Sequence, residues 1–142
     1  MQTFLPYPNF TQTARCLDRQ RLGKQRVETL QILNALTDPA KGWQNHPATN
    51  MWRGHEQTLV AYGLTICEEW IRRGYKDTCL QKMLDIQELH HENWNASQPS
   101  WLGDPALHIS HQSNLLRKNP DHYSTYFENV SPDLPYIWPV IK

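Results

Sequence analysis

The chain has 142 residues, enough for one domain around a single core. Lys plus Arg and Asp plus Glu balance at 14 each, so the strongly basic character of a protein that coats nucleic acid by charge alone is excluded. No run of about 18 apolar residues occurs, which excludes a membrane-spanning helix.

The start, MQTFLPYPNF, has neither the basic flank nor the long apolar stretch of a secretory leader. Cys16, Cys67 and Cys79 form no C-x-x-C pair and are odd in number, which fits reduced thiols better than a disulfide framework. A cytoplasmic protein is expected, associated with the nucleoid if bacterial, working as a monomer without a cofactor.

Residues 1 to 13, with Pro6 and Pro8, read as an extended or turn-rich arm. A first helix is predicted from Thr13 to Leu36. Gly23 inside it costs about 1 kcal/mol relative to Ala, so it marks a place where another backbone or a ligand comes close. Pro39 and Gly42 end the helix, and the loop WQNHPATN follows.

A second helix is predicted from Asn50 to Arg73. Leu59, Tyr62, Ile66 and Trp70 recur every three or four residues and form its core stripe. Gly74 caps it, behind Arg72 and Arg73 in the last turn. A short helix is expected from Thr78 to His91, then a loop, NWNASQPSWLGDP, then a last helix from Ala106 to Lys118. In the tail from Asp121 to Lys142, Tyr123, Tyr126, Phe127 and Trp138 are expected to pack back on the helices. No alternating strand pattern stands out. The expected fold is all-α: one domain over residues 1–142, three main helices plus a short one, an extended N-terminal arm and an aromatic C-terminal tail.

The stretch RLGKQRVETLQIL places Arg21, Lys24, Gln25 and Glu28 at i, i+3, i+4 and i+7, on one helix face. Leu22, Thr29 and Leu33 take another face, widened by Leu30 and Ile32. One reading of the polar stripe is a solvated surface, with Lys24 and Glu28 as an i,i+4 pair. The other is a site where an anionic substrate docks on cations and is worked on by a single carboxylate.

The histidines invite a metal reading. His55-Glu56 begins an H-E-x-x-H motif, but residue 59 is Leu. His108 and His111, i and i+3 on a helix, could share a metal with a third ligand, which would make a metal-dependent hydrolase. Hydrogen-bonded histidines are the preferred reading, and no metal site is assigned. Cys67 lies on the apolar side of its helix and reads as core.

Three segments together resemble the pyrimidine-dimer DNA glycosylase family, small all-α enzymes of the phage endonuclease V type. LDRQRLGKQRVETL (Leu17 to Leu30) resembles the family's first-helix pattern. Its catalytic glutamate falls on Glu28 and its helix glutamine on Gln20. MWRGHEQTLVAYGLTICEEWIRRGYKDT (Met51 to Thr78) resembles the long central helix, and PALHISHQSNLLRKNPDHYSTYF (Pro105 to Phe127) the last helix with its aromatic tail.

The resemblance implies nucleotide extrusion from double-stranded DNA carrying a damaged or modified base. It implies attack of the N-terminal α-amine on the sugar C1′, an imine, base release and strand nicking by β-elimination. An α-amine, with a pKa of about 7.7–8.0 against about 10.4 for lysine, is more often unprotonated at neutral pH. A carboxylate beside a developing oxocarbenium ion is the matching electrostatic partner.

The chain departs from the family in places. Gln2 is bulky and should hinder removal of the initiator Met, so the terminal amine is expected on Met1. Family arginines fall on Val27 and Gln31, and a family histidine on Arg21. Three nucleophiles stay open: the Met1 amine, a water activated by Glu28, and Lys24, whose pKa Arg21 would lower and Glu28 raise. A non-catalytic nucleic-acid-binding module on the same scaffold is the rival from another class.

The expected DNA contacts are Gln20, Arg21, Gln25, Arg26, Arg53, His108, Gln112, Lys118, Tyr123 and Tyr126. The cations would meet phosphates. Tyr123 and Tyr126, with Trp43 and Trp52, are candidates to stack on an extruded base or fill its gap.

Overall fold

A computed structural model describes residues 1–139; among them are seven α-helices, one 3₁₀ turn and no strand. The helices are α1 (Phe10–Cys16), α2 (Arg19–Thr37), α3 (Pro47–Trp52), α4 (Glu56–Arg72), α5 (Cys79–His90), α6 (Pro105–Lys118) and α7 (Pro120–Tyr123). The all-α expectation is met, with more breaks than the periodicity suggested.

The expected first helix is two. Asn9 caps α1 by accepting from the Gln12 amide at 2.9 Å. The chain then turns extended at Leu17 and Asp18 before α2. Asp18 stands at the N-cap position of α2, but its carboxylate is used elsewhere. It accepts from the Tyr123 hydroxyl and, at 3.3 Å, from Arg21. The break therefore serves a long-range contact that no local pattern announces.

The expected second helix is also two. Pro47 opens α3 at its first turn, and Gly54, at φ +86°, turns the chain between α3 and α4. The Gly74 cap is as expected, at φ +96°. α6 begins one residue early, at Pro105, with Asp104 accepting from the Ala106 amide at 3.1 Å.

α4 is the centre of the molecule and packs against α1, α2 and α5. Leu22, Ile32 and Leu33 of α2, Leu59, Tyr62 and Ile66 of α4, and Met83 of α5 meet in the core. Cys67 lies in it with its thiol pKa pushed up by burial. A Cβ on Gly63 would stand 2.5 Å from Met83 Sδ and 2.9 Å from Thr29 Cγ2, so the glycine sets how closely three helices approach.

At Gly23 the close neighbour within the protein is not another backbone. It is the Trp70 ring, 3.1 Å from where a Cβ would be.

Most of the aromatic tail returns to the core as expected. Tyr123 and Phe127 are buried and stacked on each other at 5.8 Å, and Trp138 packs against the core from a partly buried position. Tyr126 departs from that expectation and stays 48% exposed. The last three residues of the expected tail lie outside the described residues. Among those described, no helix is long and apolar enough to cross a membrane.

Candidate active site

The N-terminal arm is not loose. From Gln2 to Tyr7 it is threaded through the core, and each peptide group on the way is held by a side chain. Gln2 N–H donates to Glu28 Oε2 at 3.3 Å, and the Gln2 carbonyl accepts from Gln25 Nε2 at 3.0 Å. Thr3 accepts from Trp52 through its hydroxyl at 3.0 Å and from Tyr136 through its carbonyl at 3.3 Å. Phe4 N–H donates to Gln25 Oε1 at 3.0 Å, while the Tyr62 hydroxyl sits 2.7 Å from the Phe4 carbonyl and 2.8 Å from Gln25 Oε1. Gln112 donates to the Pro6 carbonyl at 2.8 Å, and the Thr13 hydroxyl meets both the amide and the carbonyl of Tyr7.

Leu5 is held at both poles by two histidines one turn apart on α6. Its amide donates to His111 Nδ1 at 2.9 Å, and its carbonyl faces His108 Nδ1 at 2.7 Å. The Gly103 amide donates to His108 Nε2 at 2.9 Å, so the His108 proton is assigned to Nδ1, where it bonds Leu5. His111 must accept at Nδ1 and is therefore neutral. Burial, helped by His108, depresses its pKa to about 3. Its ring stacks on Tyr136 at 4.3 Å.

This anchoring carries Met1 to a cleft of about 250 Å³ lined by Met1, Gln2, Phe4, Gln20, Arg21, Lys24, Gln25, Glu28 and Lys118. Glu28 enters from α2, fixed by Gln25 Nε2 at 3.1 Å as well as by the Gln2 amide. Arg21 and Lys24 lie on the same α2 face, and Lys118 arrives from the end of α6. A carboxylate thus stands with an N-terminal arm on one side and three cationic side chains around it. A wider groove of about 680 Å³ adjoins, sharing Gln20, Lys24 and Glu28 and running over Arg19, Gly23, Val27, Gln31 and Trp70.

Of the site residues read from the sequence, the fold gathers Met1, Gln20, Arg21, Lys24, Gln25, Glu28 and Lys118 into that one cleft. Gln25 faces inward, 1% exposed, and its amide is fully engaged with the arm, Tyr62 and Glu28. Arg26 is committed to structure: it pairs with Asp77 and lies 4.4 Å from the centre of the Trp70 ring. His108 and Gln112 hold the arm from within.

Tyr123 is fully buried and its hydroxyl is spent on Asp18. Arg53 is exposed and donates to the Gln44 carbonyl at 2.8 Å. Tyr126 lines a separate cavity with Tyr7 and Arg15. Among the described residues no group of three or more His, Cys, Asp or Glu is placed to hold a metal.

Sequence reasoning missed His46, Tyr62 and Tyr136. His46 caps α3, its Nδ1 accepting from the Ala48 amide at 3.0 Å, and its ring meets Trp43 and Trp138 edge to face at 5.4 and 5.8 Å. Its pKa is lowered by desolvation and by the nearby terminal ammonium, against the pull of Glu28. Tyr136, whose ring lies tilted against Trp138 at 4.6 Å, and Tyr62 also feel the Glu28 charge, and burial raises the pKa of both. A histidine before a proline signals an N-cap.

The model of the pyrimidine dimer DNA glycosylase family matches residues 1–83, from the arm through α4 and into α5. That is more than half of the 142 residues. No curated protein and no solved structure matches the chain.

Proposed function

This chain belongs to the pyrimidine dimer DNA glycosylase family, and on that premise we propose that it removes a damaged or modified base from double-stranded DNA at the cleft between Met1 and Glu28. The observation that carries this reading is the hydrogen bond from the Gln2 amide to Glu28 at the end of an arm pinned residue by residue. A fixed geometry of this kind is what converts an amine and a carboxylate into an effective pair.

In this reading an extruded nucleotide enters the cleft with its phosphates against Arg21, Lys24 and Lys118. The α-amine attacks C1′ as the bond to the base breaks, and the electron pair leaves with the base. Glu28 stabilises the positive charge that develops on the sugar and takes the proton shed by the amine. The sugar ring then opens as the C1′–O4′ bond breaks, O4′ taking up a proton as the nitrogen loses its second, and the imine that remains is competent for β-elimination, which nicks the strand and gives AP-lyase activity.

Met1 supplies the amine in the chain as written. In a chain that had shed Met1, the Gln2 nitrogen would be the terminal amine, and that nitrogen is the one bonded to Glu28. Lys24 lines the same cleft and is the second amine in reach. A water activated by Glu28 would give base release with no imine.

Val27 and Gln31 line the groove beside Glu28 where related enzymes carry arginines. The cationic surroundings of the carboxylate are thereby reduced, and the substrate range extends from pyrimidine dimers to other modified bases. A hydrolase built on His108 and His111 is disfavoured, since both Nδ1 atoms are occupied by the Leu5 peptide.

The test is incubation with ultraviolet-irradiated or base-modified duplex DNA in the presence of borohydride. The expected result is a covalent protein–DNA adduct, with the mass of the adducted peptide naming Met1, Gln2 or Lys24. Base release with no adduct selects the water mechanism. Salt-sensitive binding with neither product on any lesion overturns the enzyme reading in favour of a binding module.

A further inference from the structure

Two neighbouring rows of side chains run along α2. Gln20, Lys24 and Glu28 stand four residues apart, and so do Arg19, Gly23, Val27 and Gln31. The first row lines both the small cleft and the wide groove, whereas the second lines the groove alone. The first row is therefore the divide between the two spaces, and Glu28 stands on it.

The spaces differ in size and chemistry. The cleft, at about 250 Å³, falls below the roughly 300–1,000 Å³ of sites that enclose a drug-sized ligand, and it is ringed by charge. The groove, at about 680 Å³, lies inside that range. Beside Glu28 its second row is uncharged. Val27 is 45% exposed, an apolar side chain on a polar helix face. Gly23 has no side chain, so the Trp70 ring reaches the groove past it. That ring is fixed by its Nε1–H bond to the Lys76 carbonyl at 2.9 Å and by the Arg26 guanidinium 4.4 Å from its centre. Gln31 adds an exposed carboxamide.

An extruded nucleotide is divided in the same way. Its phosphates are anionic, while its base is flat and edged with donors and acceptors. With C1′ at Glu28 and the phosphates on the cationic side, the base crosses the divide into the groove. There Val27 and Trp70 meet its apolar surface and Gln31 meets its edge. Glutamine offers a donor and an acceptor side by side, the complement of an N–H next to a carbonyl. Residues 28 and 31 are i and i+3, with Cβ atoms about 5–6 Å apart. That span suits one ring between C1′ and the edge, not the fused rings of a purine.

We propose that Gln31 is a specificity-determining residue of this site, and that the base it selects is a single uncharged modified pyrimidine with its N3–H and neighbouring carbonyl intact. The proposal rests on the glycosylase reading given above. Extrusion strips that edge of its partner in the duplex, and the carboxamide replaces the lost hydrogen bonds. A base blocked at that edge leaves the carboxamide without a partner and is disfavoured.

The test compares wild type with Gln31→Leu, which keeps a good helix former and removes donor and acceptor together. Gln31→Met repeats the comparison should the leucine variant fold poorly. Four duplexes are used: one carrying 5-hydroxymethyluracil, one carrying the same base methylated at N3, one with an abasic site already formed, and one irradiated with ultraviolet light. The expected result is a fall of about 10-fold or more in single-turnover release of 5-hydroxymethyluracil by the variant. Release of the N3-methylated base should be equal for the two proteins, which cancels its easier extrusion. Borohydride trapping on the abasic duplex should also be equal, because no base is read.

An equal fall on both bases, a fall in trapping, or no fall at all would overturn the role of Gln31. Release from the irradiated duplex but not of 5-hydroxymethyluracil by wild type would overturn the single-pyrimidine assignment and leave the glycosylase reading standing. No base released by wild type from any duplex would instead end the glycosylase reading, and this proposal with it.

Discussion

The backbone amide of Gln2 donates to Glu28 Oε2, so the carboxylate on α2 is oriented by the arm that also delivers the terminal amine. The hydrogen bond needs only an acceptor at that position, whereas charge stabilisation needs the carboxylate. Glu28→Gln is therefore expected to fold and bind DNA like the parent while base release drops by at least ~10²-fold. Single-turnover base release and fluorescence anisotropy with the same duplex make the comparison. An unchanged rate would remove Glu28 from the mechanism.

Gln25 links the two halves of the site. Its amide nitrogen bridges the Gln2 carbonyl and Glu28, and its oxygen takes the Phe4 amide. Gln25→Leu leaves those buried backbone groups without partners, at about 1–3 kcal/mol for each group left unsatisfied. The variant should melt at lower temperature and should also form the borohydride adduct more slowly at temperatures where it is fully folded. Lost stability with an unaltered adduct rate would mean that the arm finds its place without Gln25.

The helical class, the Gly74 cap, α5 and α6 and the shared face of Arg21, Lys24 and Glu28 were legible because each rests on local periodicity or local capping chemistry. The breaks before α2 and α4 were not. Asp18 stays extended while its carboxylate serves Tyr123, 105 residues away, and Gly54 marks a turn inside what reads as one helix from Asn50 to Arg73. The same blindness to distance hid the arm. His108 and His111 have the spacing of a ligand pair, yet that spacing matches the backbone N–H and C=O of one residue, Leu5. Gln25 shares a face with charged residues and still lies in the core, because the arm covers it.

His111 gives the fold a definite acid response. Its folded pKa of about 3 lies below the unfolded value of about 6.5, so above pH 6.5 both states are neutral and the Leu5 clamp contributes fully. Below that, the unfolded chain takes up a proton that the native state refuses. Stability then falls by up to about 1.4 kcal/mol per pH unit as pH drops toward 3. Denaturant melts between pH 7 and 5 should show that slope, reduced by about one proton in His111→Asn. Parallel curves for the two proteins would contradict a neutral buried His111.

Lys118 is 90 residues from Glu28 in sequence but shares its cleft. Its proposed role as a phosphate contact has a simple signature. Lys118→Ala should weaken DNA binding to a similar degree on every sequence and lower the slope of log K against log salt by about one. A sequence-dependent loss, or an unchanged slope, would place Lys118 off the phosphate path.

The clamp on Leu5 also has a consequence for the order in which the protein comes into being. The arm is made first, but some of its partners are among the last residues made: His111 lies 106 positions after Leu5, and Tyr136 lies 133 after Thr3. Those contacts close the longest loops in the molecule. In a growing chain the arm therefore meets Gln25, Glu28, Trp52 and Tyr62 first, and the contacts from α6 and the tail close last. The final fixing of the arm beside Glu28 waits on the segments made last.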